Sequence, residues 1–381
     1  MRSRARRGPL TLLVGHVTFL MSLCPDIRTS SRGAASRDWA GSGHQGGGHP
    51  DEETCMRKTR RSLQAAVAVS AATVTLAACS SQGGAQDAGG GGAAEGESYT
   101  IAMVTHEAPG DTFWDKIRAG AEAAAANHNI ELNYSNNQDA GEQSTLIQNA
   151  IDQGVDGLAT TLPTPDAIGP NVQKAVDAGI PTVAFNAGIN DYSNYGVGMY
   201  FGSDEDLAGQ TVGTKLAAES PGHTVCVIQE QGQVQLEARC AGVAKGQPDT
   251  EVLYVNGRDL PAVQQTIGAK LQEDASVANV VALGADIALA AQQAKTDSGS
   301  QANIATFDLN ADVAKQIQDG GILFSVDQQP YVQGYMAVTS LWLNLTNGND
   351  IGGGGPVLTG PSVVDQSNIG PIVQYAENNT R

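Results

Sequence analysis

QDAGEQSTLIQNAIDQGVDGLATTLPTPDAIGPNVQKAVDAGIPTVAFN, residues 138–186, decides the fold. The stretch predicts a turn holding Asp139, a helix through Leu146 and Ile151, a strand at 157–161, a helix over 167–178 and a strand over 181–185 ending in Asn186. The pattern returns from Asp259, with a helix through Ile267 and Leu271, a strand at 280–283, a helix over 286–295 and a strand over 303–307 ending in Asp308. Acidic turn to polar strand end takes 47 positions in the first copy and 49 in the second, and Phe185-Asn186 is answered by Phe307-Asp308. A parallel crossover needs a helix to carry the chain back, so alternating strands and helices imply parallel sheets. Ligands of such sheets sit at the carboxyl ends of the strands. The expected fold class is α/β, with two doubly wound parallel-sheet domains and a ligand cleft between them.

A chain of 381 residues exceeds one ordinary core and suits two domains plus appendages. Residues 1–78 hold 11 of the 22 Lys and Arg and only 5 of the 40 Asp and Glu, so the portion from Cys79 onward carries 11 cations against 35 acids. That surface repels nucleic acid and anionic membrane, and DNA or RNA is not an expected partner.

Met56 to Cys79 has the parts of a secretory signal: basic Arg57, Lys58, Arg60 and Arg61, an apolar Ala/Val run, and Leu76-Ala77-Ala78-Cys79. The last four residues resemble the lipobox of bacterial lipoproteins, which implies cleavage before Cys79 and a lipid on its thiol. Because a signal acts at the start of a chain, Met56 reads as the true start and residues 1–55 as the product of a start codon placed too early. Residues 79–98 are Gly-, Ala-, Ser- and Gln-rich and read as a flexible tether reaching about 25 Å. The expected location is extracytoplasmic, lipid-anchored to the outer face of the cell membrane.

The loop 106–111 follows the strand over 99–105 and faces the expected cleft, with Glu107 and Asp111 as acids and Phe113 and Trp114 opening the next helix. An aromatic plane there suits the C–H face of a sugar ring, although helical spacing also suits plain core. Ser203-Asp204-Glu205-Asp206 reads as a helix cap with an acidic first turn and needs no catalytic role. With Cys79 lipidated and the earlier cysteines removed, Cys226 and Cys240 remain, and a disulfide between them is the simple reading in an oxidising compartment. Zinc held with His223 would lack a fourth ligand, so no metal and no cofactor are expected. Arg239 stands at the expected start of a helix, where the dipole disfavours a cation; a hydroxylated ligand or a cleft carboxylate would partner it. Past the second copy, Asp327-Gln328 ends another strand and Pro330 suits the first turn of the next helix.

Signal, lipobox, tether, Gly110-Asp111-Thr112-Phe113-Trp114, the paired βαβ halves, Phe307-Asp308 and Asp327-Gln328 together resemble the sugar-binding proteins of ABC transporters, in the ribose-binding-like, type I periplasmic binding protein group. The resemblance implies a hinge of three crossings, with a first domain of residues 99–203 plus 329–350 and a second of 204–328 plus 351–381. It implies a sugar clamped by Phe113 and Trp114 and bonded by Asp111, Asn186, Arg239, Asp308 and Gln328. A monomer that delivers a sugar or polyol to ABC permease subunits is expected, not an enzyme. Ribose binders have Asp-Arg where this chain has Asn186-Ala187, and Asn where it has Gly284, so the ligand differs from ribose. Glu107 and Asp111 suggest further hydroxyl acceptors or an amine on the ligand. A membrane-tethered sensor of a sugar-like signal, and a secreted glycosidase, are the competing functions. A glycosidase needs paired carboxylates, and the repeat ends offer one, Asp308, opposite Asn186. A transcription regulator of the same core would need a basic DNA-reading helix, against the acidic charge.

Overall fold

The acidic turns of both copies cap helices. In the computed structural model, which describes residues 98–381, Asp139 Oδ1 accepts hydrogen bonds from the backbone N–H groups of Gly141 and Glu142, and Asp259 Oδ1 accepts one from that of Ala262. Caps of this kind satisfy orphan donors of a first turn and contribute roughly 1 kcal/mol each. The signal region, Cys79 and the tether before Ser98 lie outside the described residues.

The first lobe runs β1 (Tyr99–Thr105), α1 (Phe113–His128), β2 (Ile130–Asn136), α2 (Ala140–Gln153), β3 (Gly157–Thr160), α3 (Pro165–Asp177), β4 (Thr182–Phe185) and β5 (Met199–Ser203). The second runs α4 (Glu205–Glu219), β6 (His223–Ile228), α5 (Val234–Gly246), β7 (Thr250–Tyr254), α6 (Leu260–Glu273), β8 (Val277–Ala282), α7 (Ala285–Ser298), β9 (Asn303–Phe307), α8 (Ala311–Gln318) and β10 (Phe324–Asp327). The chain then returns through α9 (Pro330–Asn347) and ends with β11 (Val357–Gly360), β12 (Ser362–Asp365) and α10 (Val373–Glu377). One sheet has the order β2-β1-β3-β4-β5-β11 and the other β7-β6-β8-β9-β10-β12. All neighbours are parallel except β10 and β12. These are two doubly wound sheets of matching order, the architecture that the repeat predicts.

Each sheet is buried on both faces, as parallel sheets are. Alternate residues of one strand feed different cores: Ile101 and Met103 pack with Ile117 and Leu341, while Ala102 and Val104 pack with Ile147 and Val172. In the second sheet Val225 and Val227 join Ile267 and Ile287, and Cys226 and Ile228 join Leu216 and Leu236. Cys226 of β6 and Cys240 of α5 are bonded at 1.95 Å between sulfurs, fastening the strand to the helix beside it.

Three crossings join the lobes: Ser203 to Asp204, Asp327 to Gln329, and the cis bond Gly360-Pro361. They lie side by side, since Gly360 is in register with Ser203 and Ser362 with Asp327. A Cβ on Gly360 would stand 3.0 Å from both Asp327 O and Gln328 Cα, so only glycine lets the third crossing run this close to the second. One boundary differs from the sequence reading. Residues 351–360, expected in the second domain, belong to the first lobe: β11 pairs with β5, and Ile351 and Val357 pack on its core. A run rich in glycine, residues 352–355, hides the strand that follows it. Among the described residues no helix is long and apolar enough to cross a membrane.

Candidate functional site

The carboxyl ends of both sheets face a cavity of about 300 Å³. Phe185-Asn186 and Phe307-Asp308 deliver equivalent residues to it. Asn186 and Asp308 have φ of 64° and 66°, a left-handed conformation that Asn and Asp tolerate better than most residues. The turn brings each buried polar side chain onto the cavity wall instead of continuing the strand. Gln328 spans the two: its Oε1 accepts from Asn186 Nδ2 at 3.2 Å, and its Nε2 donates to Asp308 Oδ1 at 2.8 Å. Gln333 donates to the same Gln328 Oε1 at 3.0 Å, which fixes the amide orientation at the hinge.

Arg239 also lines the cavity, yet its main partner is protein. Its Nε donates to Glu205 Oε2 at 2.6 Å, Nη2 to Glu205 Oε1 at 3.1 Å and Nη1 to the Leu283 carbonyl at 3.2 Å, and the guanidinium lies 4.7 Å over the Phe307 ring. Arg239 is in the second turn of α5 rather than at its start. Glu205, read from sequence as an acid of a first turn, is buried and is the carboxylate that partners this cation.

Asp111, Phe113 and Trp114 reach the cavity from the loop after β1 and the start of α1. Trp114 is only 3 % exposed, set edge-on to His106 at 4.7 Å and to Phe113 at 5.3 Å, so it serves both the core and the wall. Asp111 accepts from the Phe113 N–H at 2.9 Å. Burial pushes the Asp111 carboxyl up to about 7 against that hydrogen bond, with Asp286, Asp308 and Glu230 adding like charge. Burial likewise carries Asp308 up to about 6, opposed by Arg239 and Gln328. Glu107 is a correction. It is not on the cavity wall, because Arg118 at 3.0 Å, Tyr134 at 2.8 Å and Asn136 at 3.0 Å take its carboxylate on the outer side of the loop.

Residues not singled out from sequence complete the wall. The loop after β6 contributes Glu230 and Gln233, the first turn of α5 Gln235, the loop after β7 Arg258, and the first turn of α7 Asp286. Internal symmetry held a signal for the first of these, since β6 opens the second half as β1 opens the first. Cross-lobe contacts form here: Val234 N–H donates to the Pro163 carbonyl at 3.0 Å and Gln235 Nε2 donates to His106 Nε2 at 3.2 Å, while the N–H and hydroxyl of Thr112 help hold the Asp286 carboxyl down against burial. An amide nitrogen only donates, so His106 Nε2 accepts and Nδ1 carries the ring proton toward Thr161 Oγ1, 2.7 Å away. Burial, then Arg239, holds His106 down to about 3, keeping this ring neutral. The arrangement is rich in acceptors and amides beside an aromatic wall, and suits a compact ligand with many hydroxyls.

His223 lies elsewhere, 2.9 Å from Asp249 and beside Glu251 and Asp274. Cys226 and Cys240 spend their sulfurs on the disulfide and are not free to join His223 as zinc ligands, while the ligand atoms of His223, Glu251 and Asp274 lie within 4.8 Å of one another with the Lys270 ammonium on both carboxylates.

A solved carbohydrate transporter from Acidothermus cellulolyticus 11B, in complex with myo-inositol, is 53 % identical, with a TM-score of 0.73, over 75 % of this chain and 100 % of that one. The xylose/arabinose-binding protein XylF of Sulfolobus acidocaldarius is 26 % identical over 269 residues, which are 64 % of this chain and 66 % of that protein. The xylitol-binding protein of Mycolicibacterium smegmatis is 30 % identical over 98 residues, 26 % of this chain and 28 % of that protein. These relatives are named for transport and binding and none for catalysis. Residues 101–350 match the family described as periplasmic binding protein domain, a match that runs from within β1 to beyond the end of α9, so the chain belongs to that family.

Proposed function

We propose that this protein is an extracytoplasmic solute-binding lipoprotein that captures a cyclic polyol of the inositol kind and delivers it to an ABC transporter permease. The observation that carries the reading is the ring of acceptors and amides, Asp111, Asn186, Asp286, Asp308 and Gln328, around one cavity beside Phe113 and Trp114. The myo-inositol complex of the 53 % identical protein supports the ligand class. A six-membered ring with hydroxyls all round presents donors on its rim and C–H groups on its faces, matching polar walls with an aromatic one.

Capture proceeds by population shift. A ligand that touches both lobes gains those contacts only when they close, so it stabilises the closed arrangement by its differential affinity. The hinge moves at three neighbouring crossings while the two sheets stay rigid. Cys79 supplies the anchor, and the tether lets the closed protein find its permease.

Thermal-shift and calorimetric titration with myo-inositol, other cyclitols, xylitol, xylose and arabinose tests the ligand. A rise in melting temperature with myo-inositol is expected, since a ligand that binds only the folded state stabilises it by mass action. No response to any member of the set sinks the reading. The anchor is tested by Cys79→Ser and cell fractionation, where continued membrane association removes the lipoprotein assignment.

A further inference from the structure

Lys116 is the least expected cation in the chain. It is the fourth residue of α1, in the first turn, where the helix dipole disfavours positive charge, and it is 1 % exposed. A buried ammonium at an unfavourable helix end stays charged only with compensation. Its Nζ donates to the Thr112 carbonyl at 3.2 Å, and Thr112 is the residue whose N–H and hydroxyl help hold down the Asp286 carboxyl of the other lobe. Burial pushes the Lys116 pKa down, and it is opposed by Asp308 of the second lobe, Asp111 and Asp115 of its own, and Asp286 of the second, in that order. Lys116 is not on the cavity wall, so it acts on ligand through these neighbours.

Resting on the binding function above, we propose that Lys116 is a positioning residue for ligand capture: its buried ammonium braces Thr112 and neutralises Asp286 as that carboxylate leaves water and docks on the first lobe. Closure moves Asp286 into a space shared with Asp111 and Asp308. Three carboxylates brought together without a cation repel one another and resist desolvation, and the acid then either takes up a proton or keeps the lobes apart. Burial does push Asp286 up, and Lys116 is the largest influence holding it down. Arg239, paired with Glu205, acts on Asp308 and is not among the groups that hold Asp286 down. Lys116 is thus the first-lobe charge that lets an acidic cleft close at neutral pH.

The experiment measures myo-inositol affinity from pH 5 to pH 8.5 for wild type, Lys116→Met, Asp286→Asn and the double variant, with melting of each free protein as a folding control. Lys116→Met is expected to weaken binding about tenfold or more at pH 8, and the deficit narrows as pH falls because protonation relieves Asp286. Asp286→Asn removes a wall acceptor and is expected to weaken binding by itself, but in its background Lys116→Met is expected to cost little more, since the uncompensated charge is already gone. A deficit of equal size at every pH that simply adds to that of Asp286→Asn means packing alone and overturns the proposal. A second arm needs no ligand. Pro163→Cys and Val234→Cys, at backbones that meet across the cleft, cross-link the lobes, and carbon-detected NMR titrates the Asp286 carboxyl with and without Lys116→Met. A higher Asp286 pKa in the variant supports the proposal and an unchanged one overturns it. If wild type binds no cyclitol, the function proposed above fails, while this arm still decides the role of Lys116.

Discussion

Asp308 and Arg239 look alike as cleft residues in sequence but differ in what their removal does. Among the described residues the side chain that hydrogen-bonds the Asp308 carboxylate is Gln328, and Asp308 faces the cavity, so its loss falls mainly on ligand. Asp308→Asn keeps a side chain that accepts the left-handed backbone and removes one charged acceptor. A charged hydrogen bond is worth about 1.5 to 3 kcal/mol, which converts to roughly ten- to a hundredfold weaker binding. Calorimetry should show that loss with the ligand-free melting temperature near wild type; an unchanged affinity would remove Asp308 from the site. Arg239→Ala instead strands Glu205, itself fully buried, and breaking one side of a buried pair costs about 3 to 5 kcal/mol. Its ligand-free protein is expected to melt well below wild type, with Glu205→Gln in the same background regaining part of the stability. Equal melting temperatures of Arg239→Ala and wild type would contradict the buried-pair argument.

At the scale of elements, α5 is the busiest helix of the second lobe. It carries Gln235 toward His106, Arg239 toward Glu205 and the cavity, and Cys240 toward β6. The loop closed by the disulfide spans 14 positions, for which the chain-entropy estimate is about 3 kcal/mol. Cys226→Ala with Cys240→Ala should therefore lower the midpoint of chemical denaturation by an equivalent amount, and mass spectrometry of the unreduced wild-type domain should find neither thiol free. The two first-lobe helices that meet at Gly120 are joined differently, by contact of backbone on backbone. A Cβ on Gly120 would run into the Tyr331 carbonyl, so α9, though late in sequence, is locked to α1 as a first-lobe element.

For the whole molecule the decisive quantity is the balance between open and closed lobes. With the lobes in contact, as Val234 and Pro163 are here, Asp111 is carried to about 7 and Asp308 to about 6, both above the ordinary carboxylate range, chiefly by burial. A carboxyl whose pKa rises on closure makes the closed form bind more protons. Ligand-free closure is therefore favoured as pH falls through 7 to 5 and disfavoured above 7, by linkage. A fluorescence pair placed across the lobes, or small-angle scattering, should show the compact fraction increasing from pH 8.5 to pH 5 without ligand. Saturating myo-inositol is expected to hold the compact form across that range, because its hydroxyls donate to the same carboxylates. A compact fraction that rises with pH instead would refute the burial of these acids on closure.

The two sheets were legible in the chain itself, because hydrophobic period and helix caps are local properties: Asp139 and Asp259 mark the same step of the same unit, and Phe185-Asn186 and Phe307-Asp308 the same exit. Asn186, Asp308 and Gln328 were legible as cavity residues for the same reason, since a strand end in a parallel sheet has one place to face. Pairings between distant segments were not. Glu205 reads as an ordinary first-turn acid until the fold sets it against Arg239, Glu107 reads as a cleft acid until Arg118 and Tyr134 turn it outward, and nothing near Lys116 in sequence announces Asp286. A charge partner 34 positions away, such as Glu205 for Arg239, is chosen by how helices pack within a lobe, and one across the cleft by how the lobes meet, neither of which a local pattern encodes. The return of residues 351–360 to the first sheet belongs to the same class, for a short edge strand after a glycine run acquires its identity only from the open hydrogen bonds of β5.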